Sequence, residues 1–240
     1  MEFFEFKKIS PNDTLMQDIY RLRFKVYCEE WGFEKAEDHP DGLEIDEYDN
    51  YSVHFAAISK KFDQLIGTVR IILDSPQGFP IHHHCVVDPK LEEQVLVKVA
   101  DSKSVRLGEI SRLAVCKDYR RRSSDNLIYD PRRVDLRKVI EQKAASTLKR
   151  DKDMGERRLH DMAIVMGLYE CLCRESRELQ LTHWYVVTAR ALYVLLKRTG
   201  FHFDSIGPEQ EYHGIRRPYL GYLNETLSGI PELYRLYAGD

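Results

Sequence analysis

The sequence predicts a mixed α/β fold in which helices cover both faces of a central sheet. Segments that favour helix and strand alternate in the order helix, hairpin, strand, helix, strand, helix, strands. A chain of 240 residues buries enough surface for one domain with its own core. Its 43% hydrophobic and 31% charged residues are ordinary for a soluble globular protein. We therefore predict a single domain over residues 1–240.

A helix and a long loop are predicted for the first part of the chain. Leu15, Ile19 and Leu22 recur at helical spacing, and Asp13 precedes them as a candidate N-cap. The next segment, residues 28–50, is acidic and punctuated by glycine and proline. Such a composition indicates a long, partly ordered loop.

A β-hairpin follows the loop. The β-rich runs SVHFAAIS and LIGTVRIIL flank the short polar turn KKFDQ. Alternation in the second run places Thr68, Arg70 and Ile72 on one face, and Val69 and Ile71 on the other. A charged residue in the middle of a strand is costly unless it is partnered, so we expect Arg70 to have an acidic partner.

In the second half of the chain, the sequence predicts three further helices and four further strands around a charged insertion. The apolar segments are bounded by turn signals, and Gly200 is placed to end the last of the long helices. The predicted elements are a short helix near 89–100, the strand GEISRLAV (108–115), an insertion at about 117–158, a helix at 159–176, the strand WYVVTA (184–189), a helix at 189–201, and strands at 201–207 and 216–223.

The lack of a recognisable secretion signal and the number of cysteines indicate a cytoplasmic location. The start, MEFFEFKKIS, has neither the basic beginning nor the small-residue cleavage site of a secretion signal. No apolar run approaches the ~20 residues that a membrane span needs, so no integral membrane segment is predicted. Five cysteines, an odd number in a long chain, favour reduced thiols over a disulfide framework.

Charge is distributed unevenly although the net charge is only −3. Residues 29–49 contain ten acidic residues and one lysine, a balance of −9. Residues 119–158 contain 13 basic and seven acidic residues, a balance of +6. The first region suits a cation and the second an acidic partner, unless both are solvated faces that neutralise each other.

Three charged motifs occur where strands or their flanking loop are predicted. Alternation places Glu109 and Ser111 on one face of their strand and Arg112 on the other, unless a bulge intervenes. The motifs suit either a salt-bridge network that ties the acidic loop to the sheet or a cleft for an amine substrate. They are LEIDEYDN with Glu44, Asp46 and Asp49, TVR with Arg70, and EISR with Glu109 and Arg112.

Acyl transfer to an amine gives these charges a chemical role. An amine with a pKa near ~8 is mostly ammonium at neutral pH. Transfer to it therefore needs a base, and nearby carboxylates to hold the cation. Glu109 is the best-placed candidate for the base.

The ordered motifs R-x-x-x-Y…W, E-x-D-x-x-D, G-x-x-R, G-F-P and E-x-S-R resemble those of the acyl-homoserine lactone synthases. The resemblance is closer to the N-acyl amino acid synthases and the PEP-CTERM/exosortase-associated acyltransferases. It spans roughly residues 15–116. The matching residues are Arg23, Tyr27, Trp31, Glu44, Asp46, Asp49, Gly67, Arg70, Phe79, Glu109, Ser111 and Arg112.

The resemblance implies a GNAT-like acyl-CoA N-acyltransferase fold. In that fold two neighbouring parallel strands splay apart and the pantetheine arm of the donor enters the gap. EISRLAV and WYVVTA would be these strands. The family takes its acyl group from the phosphopantetheine of an acyl carrier protein, so no bound cofactor is expected. An unpaired backbone N–H at the splay would stabilise the oxyanion.

Residue roles follow from the same resemblance. Glu109 corresponds to the family's proposed base, and Asp46 and Asp49 would orient the acceptor. Other matching residues would brace these carboxylates or line the substrate site: Arg23, Trp31, Glu44, Arg70, Phe79, Ser111 and Arg112.

Two departures from the family pattern bear on which donor and which acceptor the protein uses. The segment DYRRRSSD contains no glycine, whereas coenzyme A-dependent GNAT enzymes usually carry a glycine-rich pyrophosphate loop there. Arg120, Arg121 and Arg122 would instead meet an acidic carrier protein, unless they form a solvated basic loop. The short interval from Tyr27 to Trp31 and the long insertion favour a free amino acid as acceptor over S-adenosylmethionine.

Other functional classes fit less well. The segment IHHHC suggests a zinc site, but no second cluster supplies a matching pair, so a surface loop is expected. The aspartates do not have calcium-loop spacing, and Cys28 and Cys116 have no recognisable histidine partner. Neither a known module nor a basic net charge indicates nucleic-acid binding. A lactone synthase and a non-catalytic domain that binds acyl carrier protein stay open as alternatives.

Overall fold

A single sheet forms the centre of the structure, a computed structural model that describes residues 3–98, 104–119 and 152–223. Eight strands are found within these ranges. They are β1 (Phe4–Ile9), β2 (Ser52–Ser59), β3 (Gln64–Ile72), β4 (Leu107–Val115), β5 (His183–Thr188), β6 (Asp204–Ser205), β7 (Gln210–Glu211) and β8 (Ile215–Tyr222).

The strands are ordered β1-β2-β3-β4-β5-β8-β6, with β7 paired to β8 outside this path. Among the described strands every pair is antiparallel except β4 and β5. The parallel ladder joins only residues 107–110 to residues 183–186. Beyond that point β4 continues to Val115 and β5 to Thr188 without pairing with each other, so the two strands are splayed as predicted.

Helices lie on both faces of the sheet, because alternate residues of each strand are buried on opposite sides. Ile19 of the first helix packs with Ala56 of β2. Ile164 of the fourth helix packs with Phe55 and Ala57 of the same strand. The described α-helices are α1 (Leu15–Phe24), α2 (Pro80–His84), α3 (Pro89–Leu96), α4 (Lys152–Glu178) and α5 (Arg190–Arg198).

Most predicted elements are confirmed. The hairpin β2–β3, the strands β4, β5 and β8, and the helices α1, α3, α4 and α5 all form. Asp13 caps α1 as expected, because its carboxylate accepts a hydrogen bond of 2.9 Å from the N–H of Leu15. A turn of π-helix (Lys25–Glu30) continues α1 into the acidic loop. In β3, Val69 and Ile71 face the core under α4.

Several elements differ from the prediction. The strand expected at 201–207 is reduced to the two residues of β6, and β7 was not expected. The first residues, considered only as a targeting signal, form the edge strand β1, in which Phe4 and Ile9 are buried. The segment Ile81–Cys85, expected as a surface loop, is mostly the short helix α2. Proline at the first helical position fixes a helical φ and lacks an N–H that would go unbonded, which favours a helix start at Pro80. Histidines 82–84 are nevertheless exposed.

Part of the predicted insertion lies outside the described residues. The part that is not described is residues 120–151, which include Arg120, Arg121 and Arg122. The end of the insertion, from Lys152, belongs to α4. Within the described ranges, no helix combines the length and apolar character needed to cross a membrane.

Replacing Gly207 by alanine should destabilise the fold. A Cβ at this position would lie 2.2 Å from the backbone oxygen of Val86 and 2.7 Å from Cγ of Pro218. Neither the backbone nor the proline ring moves aside readily, so we expect Gly207→Ala to reduce the free energy of unfolding by about 1–3 kcal/mol. Urea denaturation measures the change. The exposed neighbour Glu209→Ala is the control and should change it by less than about 0.5 kcal/mol. Equal values for the two variants would contradict the close packing.

Candidate active site

A β-bulge in β4 places Arg112 beside the other charged residues. Thr68 pairs with Ala114 and Arg70 pairs with Ser111, so β4 carries one residue more than β3 between these pairs. Arg112 lies at the bulge, and its φ of +54° is in the left-handed region. Simple alternation would have turned Arg112 to the opposite face from Ser111, but the bulge turns its side chain toward the acidic loop.

Arg23 of α1 is bound at both ends of its guanidinium. Its side chain is fully buried. Nε donates to Glu44 at 2.5 Å, and Nη1 and Nη2 donate to the two carboxylate oxygens of Asp49 at 2.6 and 3.1 Å. A bidentate arrangement of this kind fixes the geometry of both partners. Arg23 therefore holds the acidic loop against α1.

Arg70 of β3 binds the next carboxylates of the loop. Its Nη1 and Nη2 donate to the two oxygens of Asp46, each at 2.6 Å. Nη1 also donates to Asp49 at 2.6 Å, and Nε donates to the hydroxyl of Ser111 at 2.9 Å. Arg70, for which an acidic partner was expected, thus has two, Asp46 and Asp49.

Arg112 completes the network from the bulge. Its Nη2 lies 2.9 Å from Glu44, 3.0 Å from Glu34 and 3.2 Å from Asp46. The guanidinium carbon lies 5.2 Å from the centroid of the Tyr27 ring, a cation–π distance. Glu44 and Asp46 of the acidic loop thus both lie against Arg112.

These charges stay ionised because they are paired. Burial acts to raise the pKa of Glu44, but Arg112 and Arg23 outweigh it and lower this pKa to about 2. Burial also acts on Asp49, and Arg23 and Arg70 hold its pKa well below the ordinary range. The salt-bridge network, one of the two interpretations of the motifs, is therefore present. It ties the acidic loop to the sheet.

Glu109 differs from the other carboxylates. It is buried, with 4% of the residue exposed, and makes no ion pair within the described part of the chain. Its Oε2 accepts a hydrogen bond of 3.0 Å from the N–H of Ile81 in α2. Burial raises the pKa of Glu109 to about 7, although the Ile81 N–H and the nearby Arg70 and Arg112 act to lower it. A carboxyl group with this pKa is half ionised near neutral pH and is suited to accept a proton.

A cavity of about 360 Å³ passes through the gap between β4 and β5. On the face that carries the acidic loop its wall is polar, and on the face under α4 and α5 it is largely apolar. The polar lining includes Glu34, Asp46, Glu47, Arg70, His84, Glu109, Ser111, Arg112, Tyr212, His213 and Arg216. The lining on the other side includes Ile110, Leu113, Tyr169, Val186, Val187, Thr188 and Leu192.

Thr188 is a polar group within the apolar part of the cavity. It lies at the end of β5, where the strand leaves its parallel partner, and only 3% of the residue is exposed. Its hydroxyl has no hydrogen-bond partner among the residues that the structure describes. A buried hydroxyl without a partner is costly, so this group is placed to bind a ligand that enters the gap.

Of the thirteen predicted site residues, five line the cavity, five lie elsewhere, and Arg120, Arg121 and Arg122 are outside the described residues. Those that line the cavity are Asp46, Arg70, Glu109, Ser111 and Arg112. Those outside its lining are Arg23, Glu44 and Asp49, which bind the lining arginines or one another, and Trp31 and Phe79, which pack in hydrophobic clusters.

Sequence reasoning missed the contribution of the segment from β7 to β8. Tyr212, His213 and Arg216 line the cavity, although this region was assigned only a strand. The one local signal was His-Gly before Ile-Arg-Arg, a turn sequence followed by charged residues in a strand. Nothing in the sequence places this distant turn beside the acidic loop.

Comparison with known proteins agrees with this geometry. Residues 22–130 match the family model of the acetyltransferase (GNAT) domain. The N-acyl amino acid synthase FeeM, from uncultured soil microbes, is a structural match at 15% identity and a TM-score of 0.52, with 97% of each chain covered. The chain has the GNAT fold. No curated protein matches its sequence.

Two further solved structures share this GNAT fold. The acyl-homoserine lactone synthase LasI matches at 16% identity with a TM-score of 0.54, and 95% of each chain is covered. BjaI, a coenzyme A-dependent acyl-homoserine lactone synthase, matches at 16% identity with a TM-score of 0.57, over 97% of this chain and 90% of its own. The fold predicted from the motifs is therefore confirmed. The link to PEP-CTERM/exosortase-associated acyltransferases stays a prediction.

Removal of the Arg70 charge should destabilise the GNAT domain strongly. The side chain is 2% exposed, and Arg70→Met would leave Asp46 and Asp49 without one of their cations. We expect a loss of about 3–5 kcal/mol in the free energy of unfolding, measured by urea denaturation. The matched control is Arg174→Met, which breaks an exposed pair and should cost less than about 1 kcal/mol. A loss below about 1 kcal/mol for Arg70→Met would show that the network does not hold the loop.

Replacing Glu109 by glutamine should stabilise the protein in a pH-dependent way. The difference between an ordinary pKa of 4.5 and one of about 7 corresponds to about 3 kcal/mol. In the wild type, folding favours the neutral form of Glu109, and its contribution to the free energy of unfolding is fully present below pH 4.5. This contribution is lost as the pH rises through about 7. Glu109→Gln should therefore exceed wild type by about 3 kcal/mol at pH 8 and by less than about 1 kcal/mol at pH 5.

Urea denaturation at the two pH values measures this difference. Glu93→Gln, at an exposed position of α3, makes the same chemical change and should give no pH-dependent gain. A gain of equal size at pH 5 and pH 8 would mean that Glu109 ionises near its ordinary pKa.

Proposed function

We propose that this protein is an N-acyltransferase that moves a long-chain fatty acyl group from an acyl carrier protein thioester to the amine of an amino acid. The observation that carries the proposal is the position of Glu109, a buried carboxyl group with a pKa raised to about 7 on the wall of a cavity through the splayed strands. A base at this position suits acyl transfer to an amine. The GNAT fold, shared with FeeM, LasI and BjaI, supports it.

The chemistry assigns one proton transfer to Glu109. The acceptor enters largely as ammonium and must lose a proton before its nitrogen lone pair attacks the thioester carbon. Glu109 takes that proton. A C–N bond forms, the C–S bond breaks, and the leaving thiolate takes up the second proton, which the nitrogen loses as the amide forms. A hydrogen bond from an unpaired backbone N–H of β4 at the splay would stabilise the negative oxygen of the intermediate.

The salt-bridge network has a supporting role in this proposal. Asp46 lines the cavity and would attract the ammonium group of the acceptor. Asp49 lies behind it, bound to Arg23 and Arg70, and would act by positioning these arginines. Asp49, expected to orient the acceptor, would thus do so through these arginines. Arg112, held in the bulge, would fix the wall opposite the reacting carbon.

The donor would occupy the gap between β4 and β5. Its pantetheine arm would meet the hydroxyl of Thr188, and its acyl chain would lie against the apolar side chains of Tyr169 and Leu192. Arg120, Arg121 and Arg122 would bind the acidic carrier protein. A carrier-protein donor is consistent with the absence of glycine from residues 118–125 and with a cytoplasmic location.

Acyl-homoserine lactone synthesis from S-adenosylmethionine is the second candidate. It is favoured by the structural matches to LasI and BjaI, and BjaI is a coenzyme A-dependent enzyme. The motif spacing after Tyr27 favours the amino acid acceptor. A domain that binds acyl carrier protein without turnover would retain the cavity but would have no use for a raised pKa at Glu109.

Product analysis tests the proposal directly. The purified protein is incubated with long-chain acyl carrier protein or acyl coenzyme A, and with pooled amino acids or S-adenosylmethionine. We expect mass spectrometry to detect an N-acyl amino acid with acyl carrier protein, and Glu109→Gln to lower its rate by about 10²–10⁴-fold. The wild-type rate should fall about tenfold per pH unit below pH 7, because the base is then protonated. This pH dependence should be lost in Glu109→Gln.

Controls and alternative products separate the candidates. Glu93→Gln, at an exposed position outside the cavity lining, should retain wild-type activity. An acyl lactone would identify the second candidate, and product only from acyl coenzyme A would change the donor. A carrier-protein complex without any product would leave a binding domain.

A further inference from the structure

The hydroxyl of Tyr27 binds the backbone of β4 where the sheet opens. It donates a hydrogen bond of 3.1 Å to the carbonyl of Leu113. Both residues line the cavity. Leu113 also lies beyond Ile110, the last residue of β4 in the ladder with β5. The contact is therefore made on the part of β4 that has separated from β5.

The pairing of β4 with β3 shows which way this carbonyl faces. The N–H of Cys116, directly after β4, donates to the carbonyl of Ile66 in β3 at 2.8 Å, so the backbone groups of Cys116 face β3. Successive residues of a strand direct their N–H and C=O groups to opposite sides. The register is regular from here back past Ala114, which pairs with Thr68. Ala114 therefore faces β3 as well, and Leu113 faces away from it, toward the gap.

Several contacts hold the Tyr27 side chain in place. Tyr27 is buried in the π-helical turn after α1, and its own carbonyl accepts a hydrogen bond of 2.7 Å from the N–H of Phe33. The ring centroids of Tyr27 and Phe33 are 6.1 Å apart, Phe33 stacks on His213 at 5.3 Å, and His213 stacks on Tyr212 at 4.3 Å. Burial raises the pKa of Tyr27, although Arg112 acts to lower it. The hydroxyl therefore keeps its proton at neutral pH and stays a hydrogen-bond donor.

A donor in the gap meets two different edges. An extended ligand beside a strand edge binds by hydrogen bonds to the backbone of that strand, and a pantetheine arm carries amide N–H groups that can do so. At the Leu113 carbonyl such an N–H has to displace the Tyr27 hydroxyl, and the exchange of one hydrogen bond for another gains little. On the β5 edge, the Thr188 hydroxyl has no partner within the described residues and is available to a ligand.

We propose that the Tyr27 hydroxyl sets the position of the donor along β4, by occupying a carbonyl that a pantetheine amide would otherwise bind. The inference rests on the proposed function and adds a positioning residue to it. With the Leu113 carbonyl occupied, the donor is aligned by Thr188 on the other edge, in the register that brings its thioester beside Glu109. A free Leu113 carbonyl would allow a second register, in which the thioester lies away from the base.

The test compares Tyr27→Phe, which keeps the ring beside Arg112 and removes only the oxygen, with wild type. Steady-state rates are measured against the concentration of hexadecanoyl acyl carrier protein, at a saturating concentration of the amino acid that gives product. An unproductive register lowers kcat and the KM for the donor by the same factor and leaves kcat/KM unchanged, because it competes only with the productive complex. We expect both constants to fall about 3–10-fold and kcat/KM to change by less than about twofold.

Donor binding gives a second readout that needs no turnover. In a thioether analogue, with a hexadecyl group on the pantetheine of acyl carrier protein, there is no thioester carbon to react. Its dissociation constant, measured by calorimetry, should be about 3–10-fold lower for Tyr27→Phe than for wild type, because the freed carbonyl adds a register.

Two further variants serve as controls. Tyr51→Phe removes a hydroxyl at an exposed position outside the cavity lining and should match wild type in all these constants. Thr188→Val removes the hydroxyl on the opposite edge and should lower kcat/KM for the donor about 3–30-fold, mainly through a higher KM. Thermal unfolding checks that each variant is folded.

The outcomes separate this inference from the proposed function. A lower kcat/KM in a folded Tyr27→Phe would show that the hydroxyl only maintains the shape of the site, and would overturn the inference, as would unchanged kcat and KM. Failure of wild type to acylate any acceptor would refute the proposed function. The analogue then decides the inference separately: equal binding by the two proteins would overturn it, whereas tighter binding by Tyr27→Phe would support the same role in a domain that binds the donor without turnover.

Discussion

The buried ion pairs between three arginines and the acidic loop are the interaction on which the site depends. Arg23, Arg70 and Arg112 come from a helix, a strand and a bulge, and each reaches carboxylates of one loop segment. Removing charges from water is costly, and the cost is offset only when every partner is bound in good geometry. The loop can therefore lie against the sheet in one arrangement. That arrangement creates a wall for the cavity and leaves Glu109 outside the network, with a backbone N–H as its hydrogen-bond donor.

The bulge in β4 links this network to the opening in the sheet. An extra residue at Arg112 allows neighbouring side chains of one strand to serve the same site. The parallel ladder with β5 ends two residues earlier, at Ile110, so the strand leaves its partner where the charged wall begins. One local irregularity thus places the charged wall of the cavity and the gap between the strands side by side. In the proposed reaction, the wall would hold the acceptor and the gap would hold the donor.

Much of this arrangement was predictable because it depends on local patterns. The hairpin β2–β3 follows from alternation and a polar turn, and the acidic partners of Arg70 follow from the cost of a charge within a strand. The bulge was open to inference, because both faces of GEISRLAV carry charge. The position of Tyr212 and Arg216 was not predictable, because it depends on long-range packing of rings that are far apart in the chain. Strand β1 was missed because its alternation is short and lies at the chain start. The order of motifs indicated the GNAT fold, whereas the acceptor depends on shapes that motifs do not encode.

The splayed pair also divides the sheet into two halves that differ in how they form. Strands β1 to β4 are joined by antiparallel neighbours, β5 to β8 form the other half, and only a four-residue ladder connects them. Parallel strands require a long crossover, here the chain from β4 through α4 to β5. The pairing across this seam therefore joins residues farther apart in sequence than any other strand pairing in the described sheet, and we expect it to be the slowest to assemble. Beyond the ladder, the facing edges of β4 and β5 do not pair with each other. An extended ligand that hydrogen-bonds to both edges would act as a removable strand, so that the sheet reaches its full cohesion only while a ligand is bound.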